Sequence, residues 1–128
     1  IFKPKNVKIM KRLPRDDYDR MLAACDVGMI FLDYRFTIPN FPSRLLTYMQ
    51  ARLPVLACTD CNTDVGKVIV EGQFGWWCES RETSEFTSII EEIKNEDLKS
   101  KGLMGYQYLK KNYSTENAYN IILKHTED

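Results

Sequence analysis

The sequence has no long apolar run, no excess of either charge and almost no histidine. Its longest apolar stretch is the six residues 27–32, far short of the roughly 20 that a bilayer-spanning helix needs. A membrane-spanning helix is excluded, and a soluble piece is expected. Lysine plus arginine and aspartate plus glutamate each total 18, so no overall field draws nucleic acid or an acidic membrane surface. No nucleic-acid partner is expected. The only histidine is His125, and Cys58-Thr-Asp-Cys61 has no second CxxC to complete a zinc site. The acidic residues Asp60 and Asp64 read as solvated loop carboxylates, and no metal is expected. Gly66-Lys67 lacks the earlier glycine of a phosphate-binding P-loop. No internal repeat and no low-complexity segment is present. The chain opens on Ile1-Phe-Lys-Pro-Lys, with neither a methionine nor a signal-peptide pattern, and we expect it to be one part of a longer protein.

What is present is an alternation of short apolar runs with helical stripes. With 128 residues, 44% of them hydrophobic, one domain with a real core is expected. Residues 7–10 form a short β-prone run. From Arg15 onward, Tyr18, Met21, Leu22 and Cys25 follow the spacing of a helix face, and Pro14 suits its start. Residues 27–32 suit a strand covered on both faces. A helix over 43–51 would pack through Leu45, Leu46 and Met49, and Pro54 breaks it before a strand at 55–57. The next helix carries Val65, Val68 and Ile69, with Asn62 or Thr63 as cap and Gly72 as stop. Residues 74–78 read as the last strand, with Trp76 and Trp77 pointing to opposite faces. Three helices follow, near 84–95, near 97–112 and after Ser114, the last carrying Ala118, Ile121 and Ile122. Four strands separated by helices predict a Rossmann-like, doubly wound parallel sheet with a helical carboxyl-terminal tail. The tail carries more apolar surface than so small a sheet uses, which suggests a neighbouring domain.

The segment 27–57 is the one that points to chemistry. It places a helix start, with Ser43 and Arg44 on the first turn, just past the carboxyl end of a buried strand, where open α/β sheets bind phosphorylated ligands. The helix dipole favours an anion there, and Arg44 would add a bidentate fork. Thr47 lies on the same helix face. The alternative is that Ser43 is a plain N-cap and Arg44 a solvated surface residue. Cys58 and Cys61, at a strand-to-helix junction, also admit a small thiol-redox protein, and the architecture admits a flavodoxin-like or receiver-like module. A receiver would need an acidic cluster where Met10 is followed by Lys11 and Arg12.

Taken together, DVGMIFLDYRFTIPNFPSRLLTYMQARLPVLACTD resembles the nucleotide-sugar-binding half of GT-B glycosyltransferases related to family 4, as found in bacterial capsule, O-antigen and exopolysaccharide assembly. The resemblance extends upstream over VKIMKRLPRDDYDRMLAACD and downstream to Phe74-Gly75-Trp76-Trp77 and Asn112-Tyr113-Ser114. It implies that the chain is half of a GT-B fold, with the donor diphosphate at Asn40, Phe41, Pro42, Ser43 and Arg44 and the base near Lys11, Arg12 and Leu13. It further implies a uridine-linked donor, no metal, an acceptor-binding domain outside this chain, and a cytoplasmic enzyme peripheral at the inner face of the membrane. Many family members carry two glutamates eight positions apart, and here Pro39 and Thr47 stand in those places. Thr47 offers the ribose one hydroxyl and no charge. Without its acceptor domain the chain is expected to be inactive.

Overall fold

The computed structural model describes residues 4–35, 37–38, 42–113 and 115–126. Its elements run α1 (Arg15–Ala23), β1 (Gly28–Phe31), α2 (Ser43–Gln50), β2 (Val55–Thr59), α3 (Val65–Gly72), β3 (Gly75–Glu79), α4 (Thr83–Ile93), α5 (Leu98–Asn112) and α6 (Thr115–Thr126). The three strands form a parallel sheet in the order β1-β2-β3. All five residues of the central strand β2 are buried, the apolar run 55–58 and the polar Thr59 alike.

Side chains alternate across the sheet, and the two faces build two cores. Ile30, Val55, Ala57 and the half-buried Trp77 face α2 and α3, joined by Leu22 of α1 and Tyr108 and Leu109 of α5. Met29, Leu56, Cys58, Trp76 and Cys78 face the opposite way, against Phe86, Ile89, Ile90 and Ile93 of α4. Helices on both faces of a parallel sheet make this a Rossmann-like half-fold. The long helix α5 packs closely against the segments leading into β2 and β3 because two glycines line it there. A Cβ on Gly102 would stand 2.0 Å from the Arg52 carbonyl oxygen, and one on Gly105 3.0 Å from Cβ of Phe74.

Three expectations need correction. Residues 7–10 form no strand, and among the described residues the sheet has three strands rather than four. Ile9 is 95% exposed: β-prone residues make a strand only where a neighbouring backbone completes the ladder, and none among the described residues pairs with them. Gly72 is not the stop of α3 but its last helical residue, and Gln73 takes the left-handed conformation at φ 55°. A side chain at Gly72 would meet the Phe74 ring at 2.5 Å, so packing fixes the glycine one position early. Neither Asn62 nor Thr63 caps α3, since Asp64 holds the N-cap position without a side-chain bond.

The two tryptophans do split across β3. Trp76 is buried on the α4 side, with Lys101 Nζ 5.1 Å from its ring centroid. Trp77 lies against Gly66 of α3, where a Cβ would come within 2.8 Å of the indole. On α6, Tyr119, Ile121 and Ile122 are exposed, in keeping with a tail richer in apolar surface than this sheet can cover.

Candidate functional site

The candidate site lies at the carboxyl ends of the strands. Helix α2 starts beyond β1, and Pro42 occupies its N-cap position at φ −68° and ψ 129°, making no side-chain cap bond itself. Proline suits a helix threshold because its ring fixes φ and its missing N–H is one the helix would not use. Ser43 is therefore the first helical residue rather than the cap. Ser43 and Arg44 are both exposed, so the positive end of the helix dipole and a guanidinium face the same solvent. Arg44 lies near enough to Tyr48 to pull its phenol pKa down, against a larger upward push from burial.

Thr47, one turn along, is half-buried, and its hydroxyl donates weakly to the Ser43 carbonyl at 3.5 Å. It lines a cavity of about 280 Å³ with Arg15, Asp19, Leu22 and Gln50. The cavity brings α2 against the first turns of α1, which begins directly after Arg12 and Leu13. Arg12 is exposed and Leu13 half-buried, both in irregular backbone. Pro42, Ser43, Arg44 and Thr47 thus share one helix start, while Arg12 and Leu13 sit on the approach to the neighbouring helix. Asn40 and Phe41, with Pro39, lie outside the described residues.

Sequence reasoning passed over the rest of this rim. Just past β1, Arg35 grips Asp33 through two nitrogens, at 2.6 Å (Nη2 to Oδ2) and 3.0 Å (Nε to Oδ1), and this bonding holds the Asp33 carboxyl down to about 2. The pair is open to solvent and adds little stability. Just past β3, Arg81 bonds Glu79 at 3.0 Å. Both guanidiniums approach the Tyr34 ring, each 5.9 Å from its centroid, so loops far apart in sequence meet over one aromatic. The available signal was position: each arginine lies within four residues of a strand's carboxyl end, the rim where α/β sheets place their ligands.

Asp60 corrects another expectation. It is completely buried, and its carboxylate accepts from the Asn62 and Thr63 backbone N–H groups, both at 2.9 Å, and from the Thr63 hydroxyl. It ties the β2–α3 turn as an Asx knot rather than standing in solvent. The indole N–H of Trp77 donates to Thr59 Oγ1 at 2.8 Å, and that hydroxyl donates to the Asp60 carbonyl at 2.7 Å. Asp64 does remain exposed, 3.6 Å from Lys67. Among the described residues, no three acidic, cysteine or histidine groups gather closely enough to hold a metal ion.

The CxxC pairing also fails. Cys58 lies within β2 and points to the α4 face, where it meets Cys78 of β3 at an Sγ–Sγ distance of 3.5 Å. Cys61 is exposed on the following loop. Burial, with Cys78 beside it, pushes the Cys58 thiol up to about 12, the reverse of the thiolate that a Cys58/Cys61 redox centre needs.

Fold and rim together define a parallel α/β half-fold with an open helix start at the carboxyl edge of its sheet. Over 103 residues, 80% of its length, the chain is 32% identical to the "Probable glycosyltransferase WbjE" of Pseudomonas aeruginosa. The match covers 26% of that protein, so the chain spans about a quarter of the length of the curated relative it matches. No protein-family model matches the chain, and no solved structure matches it. No described helix is long and apolar enough to cross a membrane.

Proposed function

We propose that this chain is the donor-binding half of a GT-B glycosyltransferase resembling family 4, whose complete form passes a sugar from a nucleotide diphosphate donor to a lipid-linked or saccharide acceptor in bacterial surface polysaccharide assembly. The observation that carries the reading is the start of α2, whose N-cap residue Pro42 makes no side-chain cap bond, with Ser43 and Arg44 exposed at the carboxyl rim of the sheet. The similarity to a protein named as a glycosyltransferase points the same way.

In this reading the diphosphate lies against the Ser43 and Arg44 end of α2, where the helix dipole and the guanidinium meet the charge that grows on the leaving group. Thr47 gives one hydroxyl to the ribose. Arg12 and Leu13 approach the base across the cavity between α1 and α2. The donor is uridine-linked, no metal is used, and the acceptor domain lies outside this chain, on an enzyme held at the inner face of the cytoplasmic membrane. Glycosyl transfer also requires the acceptor hydroxyl to be held beside the anomeric carbon, a task for the absent domain. The isolated half therefore binds donor weakly, in the millimolar range, about −4 kcal/mol. A chemical-shift titration with uridine diphosphate tests this. Perturbations centred on residues 42–47 are expected, and an unchanged spectrum at several times that range would overturn the reading.

A further inference from the structure

We propose that Cys58 and Cys78 are a peroxide-oxidisable pair, closing a disulfide that staples the central strand β2 to the edge strand β3. The two residues are register partners in the parallel ladder and point to the same face. Neighbouring strands lie ~4.8 Å apart, within the roughly 4.4–6.8 Å between Cα atoms that a disulfide spans. The sulfurs already touch at 3.5 Å, with the Cys78 thiol donating to Cys58, so bond formation needs side-chain rotation and no change of register.

Access comes from a small cavity at the carboxyl edge of the sheet. Both sulfur-bearing residues line it, together with Ser80, Thr83 and the tilted rings of Phe31 and Phe86. Its volume is about 180 Å³, against ~30 Å³ for a water molecule. Hydrogen peroxide, the size of about two waters, enters. A tripeptide disulfide such as oxidised glutathione does not. Cys58 is 3% exposed and Cys78 is fully buried, which leaves the cavity as their route to solvent.

The chemistry balances with one peroxide. One sulfur attacks a peroxide oxygen, the O–O bond breaks, and the departing hydroxide carries off that sulfur's proton as water, leaving a sulfenic acid. The second sulfur attacks the first, the S–O bond breaks, and a second water leaves with the remaining thiol proton. Two thiols are oxidised by two electrons, the peroxide is reduced by two, and the products are a disulfide and two waters. Reactants and product are uncharged, so no anion is left beside Glu79 and Glu82, which also line the cavity. Burial keeps both thiols protonated, so the pair reacts far more slowly than an exposed low-pKa thiol.

The test uses the full chain carrying Cys25→Ser and Cys61→Ser, which removes the two exposed thiols. If that variant does not fold, the unsubstituted chain with its exposed thiols alkylated under native conditions serves instead. After hydrogen peroxide, peptide mapping without reductant is expected to find Cys58 joined to Cys78. The mass falls by two hydrogens, dithiothreitol restores it, and the oxidised form unfolds at higher urea. Oxidised glutathione leaves both thiols free, and Cys78→Ala abolishes the intramolecular link. Recovery of both thiols free, or conversion of either to a sulfinic acid without a link, would overturn the proposal. A glutathione adduct on Cys58 would overturn the role of the cavity.

Discussion

Arg44 and Thr47 occupy the same helix face but differ in what they bring to the proposed donor, Arg44 to its diphosphate and Thr47 to its ribose. A charged bidentate donor is worth about 1.5–3 kcal/mol and a neutral hydroxyl about 1 kcal/mol. Arg44→Ala is therefore expected to weaken uridine diphosphate binding roughly tenfold or more, and Thr47→Ala roughly fivefold. Titrations followed by chemical shift would rank the two, and an Arg44→Ala variant that binds like the parent would remove the diphosphate from this helix. Cys58 sets a second expectation at this scale. An unfolded cysteine ionises near 9, whereas the folded chain holds the Cys58 proton until about 12. Between those values the unfolded state binds fewer protons, so the stability that the neutral buried thiol contributes is fully present below about 9 and is lost as pH rises toward 12. Urea midpoints across that window should fall more steeply for the parent than for Cys58→Ala. Parallel slopes would contradict the burial of this thiol.

At the scale of the element, local pattern and tertiary contact divide the work unevenly. The strands and helices 15–112 were legible to within a residue or two because short apolar runs marked the strands and 3.6-residue stripes the helices. Residues 7–10 show where that fails, since Val7, Ile9 and Met10 have the composition of a strand but pair with no strand among the described residues. The end of α3 shows another limit. Glycine is the usual stop, yet Gly72 is held inside the helix by the Phe74 ring, and Gln73 takes up the left-handed turn. Gln73 is exposed, so Gln73→Gly should relieve the strained φ with little lost contact. A gain of about 1 kcal/mol is expected, read as a higher melting temperature. A loss would mean that the Gln73 side chain holds α3 in a way the backbone does not show.

For the molecule as a whole, the sheet is a platform whose carboxyl edge gathers the helix start of α2, the Asp33–Arg35 pair, Arg81 and the Asp60 knot. In the reading proposed above, the helix start of α2 binds and orients the donor diphosphate. These groups do not bring an acceptor hydroxyl to a reacting carbon. The isolated chain should therefore neither transfer sugar from a uridine-linked donor nor hydrolyse it faster than a buffer control, as read by release of uridine diphosphate. Turnover by the isolated chain would overturn the division of labour proposed above. The exposed apolar residues of α6 belong to the same scale, because a helix that this sheet does not cover adds little to the chain's own stability.

The sequence by itself determined the alternation of strands and helices, the parallel order that follows from it, and the helix start at Ser43 and Arg44. Each of these depends on neighbours a few residues apart, through side-chain period, proline geometry and the free amides of a helix end. Only the tertiary structure decided that Cys58 answers Cys78 rather than Cys61, that Asp60 is buried in a knot, and that Arg35 and Arg81 meet over Tyr34. The physical reason is sheet register. Strand pairing sets residues 20 apart in sequence side by side, as with Cys58 and Cys78, and no local period records which side chains will touch across it.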